Sequence, residues 1–171
     1  TAELFINGKS YGKQSKNNSS LKSRYRLMWM DAVYEPGEVK VVAYNKDGKA
    51  VAEKTVRTAG KPHHIELVSN RNELTADGKD LAYVTVKVVD KDSNLCPTDS
   101  RLIHFSVKGA GKFRAVANGD PTNLEQFHLP KMHAFHGMLT AIVQAGEIAG
   151  DLVLTAKASG VKTGTVHLQA K

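Results

Sequence analysis

Residues 82–89 read AYVTVKVV, and this stretch decides the fold class. Apolar residues at the even positions alternate with Tyr83, Thr85 and Lys87 at the odd ones. A period of two places the two sets of side chains on opposite faces of a β-strand. Shorter versions of the pattern recur at 103–108, 137–144, 152–158 and 163–170. No segment of ten or more residues shows the spacing of an amphipathic helix, so the chain is predicted to be all-β.

The N-terminal part of the chain predicts about five strands. Asn7-Gly8 follows the apolar residues 4–6, and this pair favours a tight hairpin because both central residues of a type I′ turn need positive φ. Residues 25–30 are predicted to form a strand with Trp29 in the core. Residues 39–44 and 49–58 are predicted as two strands around a polar turn at 45–48.

The chain is expected to contain two consecutive immunoglobulin-like β-sandwich domains, residues 1–60 and 61–171. Ala59-Gly60-Lys61-Pro62 reads as the linker, since Gly and Pro interrupt regular structure. Residues 61–171 offer about seven short strands, as an immunoglobulin-like sandwich requires. Five strands are few for the same architecture, so the first domain is expected to be truncated at its N-terminus. The start at Thr1, with no signal-peptide pattern, is consistent with a piece of a longer protein.

Composition excludes several classes of protein. Hydrophobic residues make up 41% of the 171 residues, which argues against global disorder. No stretch approaches 18 consecutive apolar residues, so no membrane span is predicted. The net charge is +7. Residues 1–60 contribute 11 Lys and Arg against 6 Asp and Glu, a net +5. This excess reads as a solvated, lysine-rich surface rather than a nucleic-acid site, because aromatic residues do not interleave with it regularly.

The sequence predicts no catalytic residue, no metal site and no cofactor. The acidic residues fall almost entirely in turns, where Asp usually bonds its own backbone. The sequence lacks the G-x-S-x-G elbow and the Gly-rich phosphate loop. His133 and His136 have helical spacing in a region that reads as loop and strand, and the single cysteine, Cys96, has no partner nearby in sequence.

Two regions are candidates for binding. The segment 118–133 is the longest irregular stretch, and long loops in compact domains are often functional. It is interpreted either as a crossover between sheets ordered by Phe127, Leu129 and Phe135 packing beneath it, or as a domain-docking or binding loop. The docking residues would be Asn118, Asp120, Thr122 and His128. A sugar-binding platform, if present, would use Trp29 and Tyr34, because exposed aromatic rings stack on sugars.

Seven segments carry a resemblance to a known family. Residues 3–12 (ELFINGKSYG), 34–44 (YEPGEVKVVAY) and 58–62 (TAGKP) resemble bacterial glycoside hydrolase family 2 enzymes of the β-galactosidase type. Residues 74–81 (LTADGKDL) resemble the start of the immunoglobulin-like module that follows in those enzymes, and residues 118–122 (NGDPT), 134–137 (AFHG) and 141–144 (AIVQ) resemble its closing half. The matches run in order over nearly the whole chain.

The resemblance implies two β-sandwich domains that follow a (β/α)₈ catalytic barrel holding the acid/base and nucleophile glutamates. No residue here matches those glutamate motifs, so the chain itself is expected to be non-catalytic. Its expected partner is the barrel of the same polypeptide, and carbohydrate would be bound through that parent. The resemblance also implies a periplasmic or secreted location. A homo-oligomer is a further candidate partner, through an unpaired strand edge of the first domain or an oligomer interface. The alternatives are a carbohydrate-binding module and an adhesin-like immunoglobulin module.

Overall fold

The computed structural model describes all 171 residues, which form thirteen β-strands and no α-helix. The prediction of an all-β chain is confirmed. The strands fall into two compact units, Thr1–Thr58 (unit 1) and Ala59–Lys171 (unit 2). No helix capable of spanning a membrane is present.

Unit 1 contains one four-stranded antiparallel sheet. Its strands are β1 (Ala2–Ile6), β2 (Lys9–Gln14), β3 (Glu38–Tyr44) and β4 (Ala50–Arg57). Their order across the sheet is β2-β1-β3-β4. The strand predicted at residues 25–30 is wrong, because these residues lie in the irregular segment between β2 and β3. Trp29, expected in the core, is half-buried in that segment.

The first hairpin forms where the Asn-Gly pair predicts it. Asn7 and Gly8 have φ values of 49° and 81°, the left-handed values that a type I′ turn requires. The Asn7 side chain also ties this turn to the start of β3. Its Oδ1 accepts the Glu38 N–H at 2.8 Å, and its Nδ2 donates to the Pro36 carbonyl at 3.2 Å. Asn7 therefore stabilises two turns at once.

Unit 2 is a sandwich of two sheets. Its strands are β5 (His64–Ser69), β6 (Glu73–Leu74), β7 (Leu81–Val89), β8 (Leu102–Gly109), β9 (Gly111–Ala117), β10 (Lys131–His133), β11 (Met138–Ala145), β12 (Gly150–Lys157) and β13 (Gly164–Ala170). One sheet has the order β10-β8-β12-β13-β6, and the other has the order β5-β7-β11-β9. All neighbours are antiparallel except β13 and β6. The two additional strands relative to the predicted seven are the short β6 and β10.

The core of unit 2 consists of the inward-facing residues of both sheets. Alternate residues of β7 and β11 are buried, as the period of two predicts. The fully buried large side chains come from both sheets: Ile103, Met132, Leu152, Leu154, Val84, Val86, Val88, Val89, Val116 and Val143. Packing of two apolar faces holds such a sandwich together, and it leaves the connecting loops on the surface for other roles.

Candidate functional site

The loop of residues 118–130, called here the 118–130 loop, begins with a chain of short hydrogen bonds. The Asn118 side chain donates to the His133 carbonyl at 3.0 Å and accepts the Asp120 N–H at 3.0 Å. One Asp120 oxygen then accepts the Thr122 N–H at 2.8 Å and the Thr122 hydroxyl at 2.7 Å. These two donors lower the pKa of Asp120 below its usual value. Three of the four predicted docking residues are thus brought together.

The second half of the loop is held by one carboxylate. Glu125 Oε2 accepts the backbone N–H of His133 at 3.1 Å, and Oε1 lies 3.1 Å from His133 Nδ1. Partial burial raises the pKa of Glu125, but these contacts with His133 outweigh it and leave the pKa lowered. Asn123 adds a local turn by accepting the Glu125 N–H at 2.8 Å. The Glu125–His133 pair therefore fastens the loop to β10.

The 118–130 loop is also the crossover between the two sheets of unit 2. It connects β9, an edge strand of one sheet, to β10, an edge strand of the other. The Phe127 carbonyl accepts the N–H of Val116 in β9 at 2.8 Å, and the Pro130 carbonyl accepts the N–H of Phe105 in β8 at 2.8 Å. Backbone hydrogen bonds to both sheets fix the path of the loop.

Apolar side chains of this loop point outward. Leu124 is 96% exposed, Phe127 is 57% exposed, and Leu129 is also exposed. The expectation that Phe127 and Leu129 pack beneath the loop is therefore wrong. Hydrogen bonding, not apolar packing, orders the loop, which leaves these side chains free to contact another surface. His128, the fourth predicted docking residue, is exposed and makes no side-chain hydrogen bond within the chain.

The residues predicted as a sugar platform differ in their surroundings. Tyr34 is 70% exposed, and its hydroxyl lies 3.0 Å from the Thr58 hydroxyl. Trp29 is half-buried, and its indole N–H donates to the Gly12 carbonyl at 2.9 Å. Tyr34 thus offers an aromatic ring to solvent, whereas Trp29 is partly covered. A role in sugar binding stays a prediction for both.

Several carboxylates of unit 2 hold its turns by accepting backbone N–H groups. Asp90, only 2% exposed, illustrates this. Its Oδ2 accepts the Gly60 N–H at 2.7 Å, and its Oδ1 accepts the N–H groups of Asp92 and Asn94, both at 2.9 Å. The Gly60 contact above all lowers the pKa of Asp90 to about 2. Asp90 thereby fastens the start of unit 2 to the loop that follows β7.

The histidines do not gather around a common point. His133 faces Glu125, while His136 Nδ1 lies 3.3 Å from the Pro97 carbonyl. No group of three or more His, Cys, Asp or Glu side chains is arranged to hold a metal ion. The side-chain chemistry of this chain is therefore that of turns and anchors, and its candidate functional feature is the exposed apolar surface of the 118–130 loop.

Sequence reasoning missed three important residues. Leu124 carries the most exposed apolar side chain of the 118–130 loop, Glu125 anchors that loop, and Asp90 fastens the start of unit 2. A signal was available for Leu124, because a lone leucine in a polar loop has no strand face to join. The partners of Glu125 and Asp90 lie 8 and 30 residues away in sequence. No local pattern indicates such pairings.

Comparisons with known proteins identify the family of this chain. Residues 65–167 match the family described as glycoside hydrolase family 2 C-terminal domain 5, and residues 1–52 match a domain of unknown function (DUF4982). The chain belongs to the glycoside hydrolase family 2 C-terminal domain 5 family. The resemblance found in the sequence is thereby confirmed.

Three known proteins are similar to this chain. The β-galactosidase BoGH2A of Bacteroides ovatus is 42% identical over 99% of this chain and 19% of its own length. A β-glucuronidase of Formosa agariphila is 26% identical over 99% of this chain and 17% of its own length. The crystal structure of a family 2 member from Bacteroides cellulosilyticus superposes with a TM-score of 0.85 at 32% identity, over 99% of this chain and 21% of that one. The chain thus spans about a fifth of the length of the curated relatives it matches.

Proposed function

We propose that these 171 residues are the non-catalytic C-terminal accessory region of a family 2 glycosidase of the β-galactosidase type, and that they pack against its catalytic (β/α)₈ barrel. The relatives support this proposal, because they are glycosidases in which the matched region is a minor part of the length. The remaining four-fifths of a relative's length gives ample room for a catalytic domain.

The single observation that carries the proposal is the hydrogen-bonded 118–130 loop with its exposed Leu124 and Phe127. Its backbone is fixed to both sheets, yet Leu124 and Phe127 are exposed. Two large apolar side chains exposed within four residues of one ordered loop would fit an interaction surface. A loop that is already ordered loses little conformational entropy on binding, so more of the gain from burial appears as affinity. This loop therefore fits a permanent contact with a neighbouring domain.

The carboxylates support a non-catalytic role. Hydrolysis of a glycosidic bond uses two carboxyl groups that flank the bond, one as acid and the other as base or nucleophile. In this chain every carboxylate with a shifted pKa has it lowered, and Asp77, Asp80 and Asp90 among them accept backbone N–H groups in turns. A general acid needs the opposite shift, so that it holds a proton near neutral pH.

Hydrolysis assays test whether this chain is non-catalytic within an active parent enzyme. We expect the purified 171-residue chain to release no sugar from an aryl β-galactoside, while the parent enzyme hydrolyses it under the same conditions. The enzymatic rate enhancement is usually a factor of about 10⁶ or more, so the contrast is measurable. Hydrolysis by the pure chain that follows its concentration would refute the proposal.

Substitutions in the 118–130 loop test the docking surface. We expect Leu124→Ser and Phe127→Ser each to lower the unfolding free energy of the parent enzyme by about 1–3 kcal/mol, because burial of such a side chain contributes that much. Leu124→Ser should leave the melting temperature of the isolated chain unaltered, and Phe127→Ser should lower it less than in the parent, since these side chains are 96% and 57% exposed. Ile148→Ser is the matched control, because Ile148 is 80% exposed in the turn between β11 and β12. Equal effects in the parent and the isolated chain would contradict docking.

A further inference from the structure

The outer face of the five-stranded sheet of unit 2 brings three basic side chains into one row. Alternate residues of β8 and β12 point into the core, so His104 and Lys157 lie on the outer face. Lys131 of β10 pairs with His104, and His104 pairs on its other side with Lys157. Residues directly opposite each other in antiparallel strands have Cβ atoms about 4.5–5.5 Å apart. The three side chains are therefore neighbours across three strands.

Two more basic side chains lie further along the same face. Lys108 of β8 and His167 of β13 pair with Val153 of β12 from its two sides. Midway between the two basic rows, the three strands carry a row of hydroxyl groups: Ser106, Thr155 and Thr165. Rows two residues apart on a strand are separated by about 7 Å. The hydroxyl row thus has basic side chains on both of its sides.

The five basic side chains have no acidic partner within the chain. This set, called here the basic face, consists of His104, Lys108, Lys131, Lys157 and His167. All five are exposed, and none forms a salt bridge. The acidic residues of the same sheet face, Asp151 and Glu73, lie in the next row, beyond Lys108 and His167. Like charges placed opposite each other in a sheet are destabilising, and a bound anion removes that cost.

The hydroxyl row gives the surface a second kind of chemistry. Ser106 and Thr165 are exposed, and Thr155 is half-buried. Each hydroxyl can donate one hydrogen bond and accept others. A polysaccharide with charged sugars presents hydroxyl groups between its anionic groups. The basic face and the hydroxyl row match such a ligand in both kinds of group.

Other polyanions match this surface less well. The three rows contain no Phe, Tyr or Trp, so they offer no platform of the kind on which the bases of single-stranded nucleic acids stack. Their only aliphatic side chain is Val153, which is half-buried. A surface that binds to a lipid bilayer presents large apolar side chains for insertion. The composition of the rows therefore favours an anionic polysaccharide.

We propose that the outer face of this sheet binds an anionic polysaccharide whose sugars carry carboxylate or sulfate groups. The basic face binds the anionic groups, and Ser106, Thr155 and Thr165 bind sugar hydroxyls. The site lies within unit 2 and differs from the docking surface of the 118–130 loop. The inference goes beyond the proposed function and does not depend on it.

Binding measurements with defined polymers test the ligand class. The probes are polygalacturonate, dextran sulfate, uncharged dextran and a short DNA duplex, each tested with the parent enzyme and with the 171-residue chain. We expect both proteins to bind polygalacturonate or dextran sulfate and neither to bind dextran. Binding of DNA alone would overturn the inference and assign the face to nucleic acid. Binding by the isolated chain but not by the parent would also overturn it, since the parent would then cover the face.

A double substitution separates the basic face from the net charge of the chain. We expect Lys131→Gln with Lys157→Gln to raise the dissociation constant for the anionic polysaccharide at least about 10-fold, because two charge-assisted contacts are lost. The control, Lys16→Gln with Lys22→Gln, removes the same charge from exposed positions of unit 1 and should change it less than about 2-fold. The melting temperature should not fall in either variant, since all four lysines are exposed. Equal losses of affinity would overturn the inference, because net charge would then explain the binding.

A substitution in the hydroxyl row tests recognition of the sugar itself. Thr155→Val keeps the shape of the side chain but removes its hydroxyl, and we expect it to raise the dissociation constant for the anionic polysaccharide about 3-fold or more. Thr140→Val is the matched control, because Thr140 is half-buried on the outer face of the other sheet. This control should leave the affinity unchanged. Equal effects of the two substitutions, or no effect of Thr155→Val, would overturn the role of the hydroxyl row.

Discussion

Two rows of paired residues show how differently the two units bury their sheets. In unit 2, Val84, Ala141 and Val116 pair across β7, β11 and β9, and all three are fully buried. In unit 1, the row across β1, β3 and β4 passes from buried Ile6 to exposed Val56. Strands of similar sequence become a core only where a second sheet covers them. The stability of the chain is therefore expected to reside in unit 2.

The largest expected contrast comes from one substitution made in each unit. Val84→Ala should lower the unfolding free energy of unit 2 by about 2 kcal/mol, because it removes two buried methyl groups and leaves a cavity. Val56→Ala should cost less than about 0.5 kcal/mol, as surface changes do. Denaturant unfolding of the isolated chain measures both. Equal losses of unfolding free energy for Val84→Ala and Val56→Ala would contradict the difference in burial between the two units.

The salt bridges should repeat the contrast on a smaller scale. In unit 2, Arg101 Nη2 lies 2.6 Å from Asp99 Oδ2, and the Asp99 side chain is 7% exposed. Arg57 and Glu38 in unit 1 are equally close but more exposed. We expect Arg101→Ala to cost roughly 1–3 kcal/mol, because it leaves a covered carboxylate without its partner, and Arg57→Ala to cost less than about 0.5 kcal/mol.

High salt is the control for the two ion pairs. Added NaCl should weaken the contribution of the Arg57–Glu38 pair, since exposed charges are screened. The Asp99–Arg101 pair should change less. A larger cost for Arg57→Ala than for Arg101→Ala at any salt concentration would contradict the burial of these pairs.

The smallest effect is a dependence on pH that Asp90 confers on unit 2. The pKa of Asp90 is lowered from its ordinary value of 3.8 to about 2, chiefly by the Gly60 N–H. A lowered pKa contributes stability that is complete above the ordinary value and is lost as the pH falls through the folded value. The difference in melting temperature between the chain and its Asp90→Asn variant should therefore shrink between pH 4 and pH 2. A constant difference in melting temperature over this range would contradict a stabilising, ionised Asp90 with a lowered pKa.

Much of the fold could be predicted because its signals are local. The alternation in β7 and the Asn7-Gly8 turn each depend on neighbouring residues, and both predictions are confirmed. The segment 25–30 shows the limit of such signals. Its side chains alternate as a strand's do, but a strand also needs a hydrogen-bonding partner, and none pairs with it in this chain. The sequence thus indicated a strand where the structure has an irregular segment.

The candidate site was predicted only in part. Asn118, Asp120 and Thr122 form the turn that their sequence indicates, because Asn and Asp side chains bond backbone groups two residues on. The exposure of the Leu124 and Phe127 side chains could not be predicted from local sequence. It depends on Glu125 and on backbone contacts with both sheets, which hold the loop without using its apolar side chains.

The complete reading frame that encodes these residues is the most direct test of the central claim, that the chain is an accessory region of a glycosidase. The account predicts that the frame also encodes a (β/α)₈ barrel with two active-site glutamates. A frame that encodes only further immunoglobulin-like repeats or a surface anchor would contradict it and favour an adhesin-like role.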